Sequence, residues 1–229
     1  MSGLAGEAFV AIWHDIAPEG LATFHAWHDR EHMPERLAIP GFRRGRRYRQ
    51  VAGDGQTFFN LYEVEAFAVL VGPDYLARLN APTPWTRQAV THFRNVTRGL
   101  CRVAASAGIG QGGVIATVRI AAAAGGDAAL QNYLAGEAIP ALLAQPGVLG
   151  AHLGFTDPDG SRIPTAEKLV RNNPTDIPPW VLLVEGISRE HLQEAMAAPL
   201  AEHRLAERGA AAGPIMGSYQ LEAMRLKAA

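Results

Sequence analysis

The sequence has little cysteine and little net charge, and each scarcity excludes a class of protein. Its 229 residues include one cysteine, Cys101, which rules out an internal disulfide and suits a reducing compartment. A net charge of −1 argues against a general affinity for nucleic acid or anionic membranes. No apolar run approaches the length of about 20 residues that spans a bilayer, and no signal-peptide pattern is present. We therefore expect a soluble cytoplasmic protein whose partners include neither nucleic acid nor membrane.

One stretch, HAWHDREHMPERLAIPGFRRGRRY from His25 to Tyr48, concentrates polar and ionisable side chains more than any other. Apolar residues at steps of three and four predict a helix over 19–37. Pro34 lies inside it and predicts a kink or a short final turn. His28 and His32 are four residues apart, so their imidazoles share one face of the helix.

A second copy of this pattern follows in the other half of the chain. At an offset of 106 residues, the distance from Glu31 to Glu137, both halves carry prolines, glycines and apolar residues at matching positions. From Glu63 to Glu185 the offset is 122, so an insertion of 16 residues lies around 157–179. Self-similarity over a period of domain size indicates two copies of one unit.

The two copies differ in chemistry. Leu134 replaces His28, Ala138 replaces His32 and Leu142 replaces Arg36 in the second copy. We therefore predict one working site, in the first half.

The element pattern predicts an α+β fold of two tandem ferredoxin-like (βαββαβ) units. The first unit is residues 1–107, 108–113 is a glycine-rich linker and 114–229 is the second unit. Predicted strands cover 7–15, 42–50, 58–65, 96–105, 114–120, 148–155, 180–187 and 215–225. Predicted helices cover 19–37, 73–79, 84–94, 126–143 and 188–208, and 157–179 is expected to be a long loop that acts as a flap. Each sheet has one face open, and packing the two faces together makes an α/β barrel within one chain.

A set of residues between the first helix and the second strand carries a family resemblance. It consists of Trp27, His28, His32, Pro34, Leu37, Pro40, Gly41, Phe42 and Tyr48. The string resembles the EthD-like and antibiotic-monooxygenase-like families of the dimeric α/β-barrel group. The resemblance implies a fused version of the family's homodimer, acting as a monomer or as a homodimer of such chains. It also implies a small organic ligand and no cofactor, because family members include cyclases, lactone isomerases and monooxygenases that use neither metal nor flavin.

The candidate chemistry is proton transfer on an aromatic or carboxylated molecule. His28 and His32 are the candidate catalytic residues, since histidine exchanges protons near neutral pH. Arg44 or Arg46 would hold a carboxylate or enolate, with Trp27, Tyr48 and Tyr62 around the substrate. Glu31 would hold the helix in register through Arg47. The rival interpretation is a non-catalytic ligand-binding or stress-responsive barrel, with the histidines exposed or merely structural.

Three other functions are suggested less strongly by the sequence: zinc binding, haem binding, and binding of phosphate or nucleic acid. The string from His28 to His32 spells H-x-x-E-H, a zinc-protease pattern, but it lacks an evident third ligand, so we assign no metal. A haem would need an axial histidine from another element, such as His92 or His152. The arginine run 43–49 suggests phosphate or nucleic-acid binding, although acids just before it favour a salt-bridged face.

Overall fold

The computed structural model describes residues 3–172 and 174–228, and these form a closed antiparallel barrel with helices on its outer surface. The strands are β1 (Ala8–Ile16), β2 (Phe42–Gly53), β3 (Phe58–Val64), β4 (Phe93–Gly108), β5 (Val114–Ile120), β6 (Val148–Thr156), β7 (Thr175–Asp176), β8 (Trp180–Gly186) and β9 (Ile215–Leu226). Around the barrel the order is β1-β3-β2-β9-β5-β8-β6-β4, closed by the pairing of β4 with β1.

The strand order resolves the barrel into two equivalent sheets. The first half contributes β4-β1-β3-β2 and the second β6-β8-β5-β9, which is the ferredoxin-like arrangement in each case. The two sheets join where β2 pairs with β9 and where β4 pairs with β6. The predicted α+β fold, with two ferredoxin-like units closed into one barrel, is confirmed.

The helices cover the outer face of each sheet. They are α1 (Leu21–Trp27), α2 (Met33–Ala38), α3 (Phe67–Val71), α4 (Pro73–Asn80), α5 (Pro84–Val90), α6 (Asp127–Tyr133), α7 (Ile139–Leu143), α8 (Pro158–Arg162), α9 (Ala166–Arg171), α10 (Arg189–Ala197) and α11 (Glu202–Glu207). In the described ranges, none is both long and apolar enough to cross a bilayer.

A π-helical turn interrupts the long helix of each half at the same place. His28–His32 joins α1 to α2, and Leu134–Ala138 joins α6 to α7. A proline follows at the second position of the next helix, Pro34 or Pro140, where a missing N–H costs little. The kink predicted at Pro34 is thus a π turn just before it. Because both halves have it, the turn belongs to the fold.

Some predicted elements differ from those observed. The helix expected over 84–94 ends at Val90, because Phe93 already pairs with β1. The helix expected over 188–208 is two helices, with Pro199 in the break between them. Helix α3 was not predicted, since five residues are too few to display a helical period.

The insertion 157–179 is not the long loop that the sequence suggested. It contains α8, α9 and β7, and Asn173 lies outside the described residues. Strand β7 pairs in parallel with β4 at Val96 and Thr97. The insertion of the second unit is therefore docked on the first unit.

Side-chain alternation along the strands separates two buried layers. On β1, Phe9, Ala11 and Trp13 point into the barrel and pack with apolar residues of both halves. Val10 and Ile12 point outward to the helices of the first half. Both faces of each sheet are therefore buried.

Candidate active site

A cavity in the first half lies between the outer face of the sheet and the helices. Its walls come from α1, the π turn, α2, strands β1 to β4, helices α4 and α5, and the insertion helix α9. The lining residues are Ile12, Trp27, His28, His32, Arg36, Phe42, Asn60, Tyr62, Tyr75, Leu79, Val90, Phe93, Arg98, Thr165, Glu167, Lys168 and Arg171. Its volume of about 50 Å³ has room for a few water molecules.

The π turn places the two candidate catalytic histidines side by side on the cavity wall. His28 is 1% exposed and His32 is 7% exposed. Their ring centroids are 5.5 Å apart, and the Trp27 ring lies 4.3 Å from that of His32. The alternative that these histidines face solvent is therefore wrong.

The contacts of His28 determine its tautomer. Nη1 of Arg47 lies 3.2 Å from Nδ1 of His28, and the Tyr62 hydroxyl lies 3.0 Å from Nε2. An arginine has no acceptor and keeps its protons, so Nδ1 of His28 accepts. The ring proton is then on Nε2 and is donated to the Tyr62 oxygen, which leaves the hydroxyl hydrogen of Tyr62 free to point elsewhere.

Both histidines are neutral at physiological pH. Burial lowers the pKa of His28 and of His32 well below 6.5, because the imidazolium loses its hydration in this environment. The positive charge of Arg47 depresses the pKa of His28 further, and that of Arg36 does the same for His32. Nδ1 of His32 has no hydrogen-bond partner among the described residues. His32 therefore carries the available lone pair.

Two further residues of the cavity wall each have a buried polar atom without a partner among the described residues. Oδ1 of Asn60 and Nε of Arg171 are buried and make no hydrogen bond within residues 3–172 and 174–228. Buried polar atoms are normally paired. Together with Nδ1 of His32, these atoms leave hydrogen-bonding capacity unused in the residues that line the cavity.

The charges around the cavity are unbalanced. Among the described lining residues, Arg36, Arg98, Lys168 and Arg171 are cationic, and Glu167 is the single carboxylate. Nη2 of Arg36 donates to Glu167, which ties α2 to α9 across the cavity.

The structure does not bring Arg44, Arg46 and Tyr48 to the histidines. Their side chains point into the barrel, on the opposite face of the sheet. Nη1 of Arg46 lies 2.9 Å from Glu185, and Nη2 lies 2.9 Å from Glu63. Arg44 donates to the same Glu63 through Nε at 2.7 Å. Of the predicted site residues, the cavity includes His28, His32, Trp27 and Tyr62.

The predicted contact of Glu31 with Arg47 is replaced by two others. Glu31 accepts hydrogen bonds from the hydroxyls of Thr83 at 2.6 Å and Thr86 at 3.2 Å, and so ties the π turn to α5. Arg47 donates to Asp29 at 2.5 Å, besides its contact with His28. Glu31 is therefore bound to the start of α5 and not to Arg47.

Most of the arginine run is neutralised by carboxylates. Arg43 pairs with Glu65, Arg44 and Arg46 pair with acids inside the barrel, and Arg47 pairs with Asp29. The salt-bridged interpretation of this strand fits these contacts better than phosphate recognition does.

Among the described residues, neither the candidate zinc motif nor the two histidines considered for a haem belongs to a suitable donor set. Within the described ranges, no group of three or more His, Cys, Asp and Glu side chains could hold a metal ion. Nδ1 of His152 lies 2.8 Å from the Ser106 hydroxyl, and Nε2 lies 3.5 Å from Glu185. His152 is fully buried among these groups inside the barrel, so it does not fit an axial ligand. His92 does not line the cavity.

Comparisons with known proteins relate the chain to others by fold. No family model matches the sequence, and no curated protein matches it. An anthrone oxidase-like protein superposes with a TM-score of 0.63 at 15% identity, over 99% of this chain and 96% of the other. The fold is that of the dimeric α/β barrels.

Two further barrels of this type cover almost the whole chain. A protein described as a monooxygenase from Fusobacterium nucleatum gives a TM-score of 0.62 at 10% identity, over 98% of this chain and 96% of its own. A chlorite dismutase variant from Candidatus Nitrospira defluvii gives 0.53 at 9% identity, over 96% and 91%. At these identities the similarity establishes the fold, and the chemistry must be argued from the site.

Sequence reasoning missed several residues of the cavity. They are Asn60, Tyr75, Arg98, Glu167, Lys168 and Arg171. Arg98 and Asn60 could have been found by extending the alternation of β1 to its neighbours, because both lie opposite Ile12 in the sheet. The α9 residues gave no signal, since the insertion reaches the first half only through tertiary contacts.

Proposed function

We propose that the chain is a cofactor-independent enzyme that removes a proton from an aromatic or carboxylated substrate in the cavity beside His32. Isomerisation, cyclisation and cofactor-free oxygenation of such molecules can all begin with this step. The barrel closes within one chain, so the proposed functional unit is a single polypeptide. A reducing cytoplasm is the proposed location, and a small organic molecule is the proposed partner.

The proposed mechanism assigns different roles to the two histidines. His32 accepts the proton at Nδ1, which has no other partner in the described part of the chain. Tyr62 donates its free hydroxyl hydrogen to the oxyanion that forms, since its oxygen already accepts from His28. His28, held by Arg47, is a positioning residue that orients the Tyr62 hydroxyl.

One observation carries the proposal: neutral His32 has a buried, unpaired Nδ1 on a cavity wall that also presents the Tyr62 hydroxyl. Proteins of similar fold include ones described as an oxidase-like protein and a monooxygenase, which is consistent with this class. Ligand sites typically enclose about 300 Å³ or more, so a ring system must displace part of the wall. The insertion, held by the pair of Arg36 and Glu167, is the segment proposed to move.

Proton exchange tests this function without knowledge of the final product. Anthrone and aromatic keto acids would be incubated with the protein in deuterated buffer, and loss of the acidic C–H signal followed by NMR. His32→Ala should slow the catalysed exchange by about 10²–10⁴-fold, the usual contribution of a general base. Tyr62→Phe should slow it less, because the ring and its packing remain.

His203→Ala is the matched control, since His203 is exposed on α11 and lies outside the cavity. Its exchange rate should equal that of the unchanged protein. Equal rates for His32→Ala and the unchanged protein would contradict the proposal. Tight binding without exchange by any member of the panel would favour the non-catalytic barrel.

A further inference from the structure

Three cationic side chains line the cavity without a carboxylate partner among the residues that the structure describes. Arg98, from β4, is 7% exposed, and its Nη2 donates to the Tyr75 hydroxyl at 3.0 Å. Arg171, from α9, donates to the Thr175 hydroxyl at 2.5 Å, while its Nε has no partner among the described residues. Nζ of Lys168 donates to two backbone carbonyls, each at 2.7 Å.

These charges lie close enough to repel one another. In the part of the chain that the structure describes, no carboxylate comes within 4.0 Å of Arg98, Lys168 or Arg171. Burial, followed by the charge of Arg98, lowers the pKa of Lys168 to about 8 and that of Arg171 to about 10. Glu167 is near, but it is bound to Arg36. Burying cations without counter-charges is costly, so the arrangement calls for an anion.

We propose that Arg98 and Arg171 form a subsite for the carboxylate of an organic anion, with Lys168 adding positive charge. Planar guanidinium groups match the geometry of a carboxylate and bind it through paired hydrogen bonds. The orphaned Nε of Arg171 is one donor available for this contact. The inference rests on the proposed function in one respect, namely that the ligand's reactive carbon then lies toward His32.

The subsite also couples binding to the base. The positive charge of Arg36 lowers the pKa of His32. An anion in the cavity has the opposite effect on the imidazolium and makes His32 a stronger base. A carboxylate substrate would therefore activate the group that deprotonates it.

Benzoate and its neutral isostere benzamide test the subsite, with binding measured by titration calorimetry. The unchanged protein should bind benzoate about tenfold or more tightly than benzamide, and the preference should shrink at high salt. Arg171→Met and Arg98→Met should each remove most of this preference. Arg162→Met, an exposed charge removed from the same insertion, is the matched control and should keep it.

Thermal unfolding would verify that both variants fold. Arg171 is only partly buried, so Arg171→Met is the variant more certain to fold. If Arg98→Met does not fold, Arg171→Met alone is enough for the test. Equal binding of the two ligands, no saturable binding of benzoate below about 10 mM, or an unchanged preference in folded Arg171→Met would overturn the subsite.

His32→Ala separates this inference from the proposed function. It should retain the preference for benzoate, because His32 does not hold the carboxylate. A preference that depends on Arg171, found in a protein without exchange activity, would support the subsite and contradict the enzyme. Proton exchange that requires His32, in a protein that does not prefer benzoate to benzamide, would support the enzyme and contradict the subsite.

Discussion

The two halves of the barrel share a backbone pattern but differ in what their helices cover. The strand pairings identify equivalent residues in the two halves. Asn60 corresponds to Leu182, Tyr62 to Val184 and Arg98 to Met216. On the helix, His28 and His32 correspond to Leu134 and Ala138 of the second π turn. Every polar wall residue in this set has an apolar counterpart.

The second half shows that the fold does not need the polar cavity. In the second half, Leu134, Ala138, Leu182 and Val184 belong to one continuous apolar core under the helices. Burying imidazole, amide and guanidinium groups is less favourable than burying hydrocarbon. The first half tolerates this cost, which is the expected signature of a site.

The largest effect should come from the barrel interior, where both halves contribute a buried glutamate. Glu63 and Glu185 are equivalent residues, and both pair with Arg46. Arg46→Met leaves buried carboxylates without their shared counter-charge and should lower the free energy of unfolding by about 3–5 kcal/mol in urea denaturation. Arg43→Met, which breaks an exposed pair with Glu65, should cost about 0.5 kcal/mol or less. Similar losses for the two variants would contradict this account.

The next largest effect should be on the acid sensitivity of the protein's stability, because the first half contains three buried histidines. Burial lowers the pKa of His14 to about 3 and those of His28 and His32 well below 6.5. The unfolded chain binds these protons and the folded chain does not. The stability that these neutral histidines contribute is therefore fully present above pH 6.5. It is lost as pH falls, and the free energy of unfolding then decreases by up to about 1.4 kcal/mol per pH unit for each histidine.

The double variant His28→Leu, His32→Ala copies the second half and should remove about two-thirds of that slope between about pH 6 and 5. Denaturation at several pH values measures it. His203→Ala, an exposed change, should leave the slope as it is. An unaltered slope in the double variant would mean that other groups control acid unfolding.

The smallest effect concerns the helix that follows the third strand of each half. Ser188 caps α10 by accepting from the backbone N–H of His191, whereas Ala66, its equivalent at α3, has the same extended backbone and no side-chain cap. Ser188→Ala should cost about 1 kcal/mol, and Ala66→Ser should gain about 0.5 kcal/mol. Thermal unfolding of both variants checks this. Changes of the same sign would show that the capping contrast is not what matters.

Several site residues were predictable because helical spacing is a local property. His28 and His32 share a face at any four-residue separation on a helix, and the repeat indicated which half holds the polar groups. Arg44 and Arg46 were misplaced for a physical reason. Alternation along β2 distinguishes two faces, but in a closed barrel both faces are buried, so the pattern does not tell which one meets the histidines.

The two repeats, their strands and long helices, and the pair of histidines on the first helix could be predicted without the structure. These features follow from short-range periodicity and from the comparison of one half with the other. That Arg98 and Arg171 share a cavity with His32 could be learned only from the folded chain. Arg98 and Arg171 lie on different units and line the same cavity because the insertion of the second unit docks on β4 of the first, a contact that no local pattern encodes.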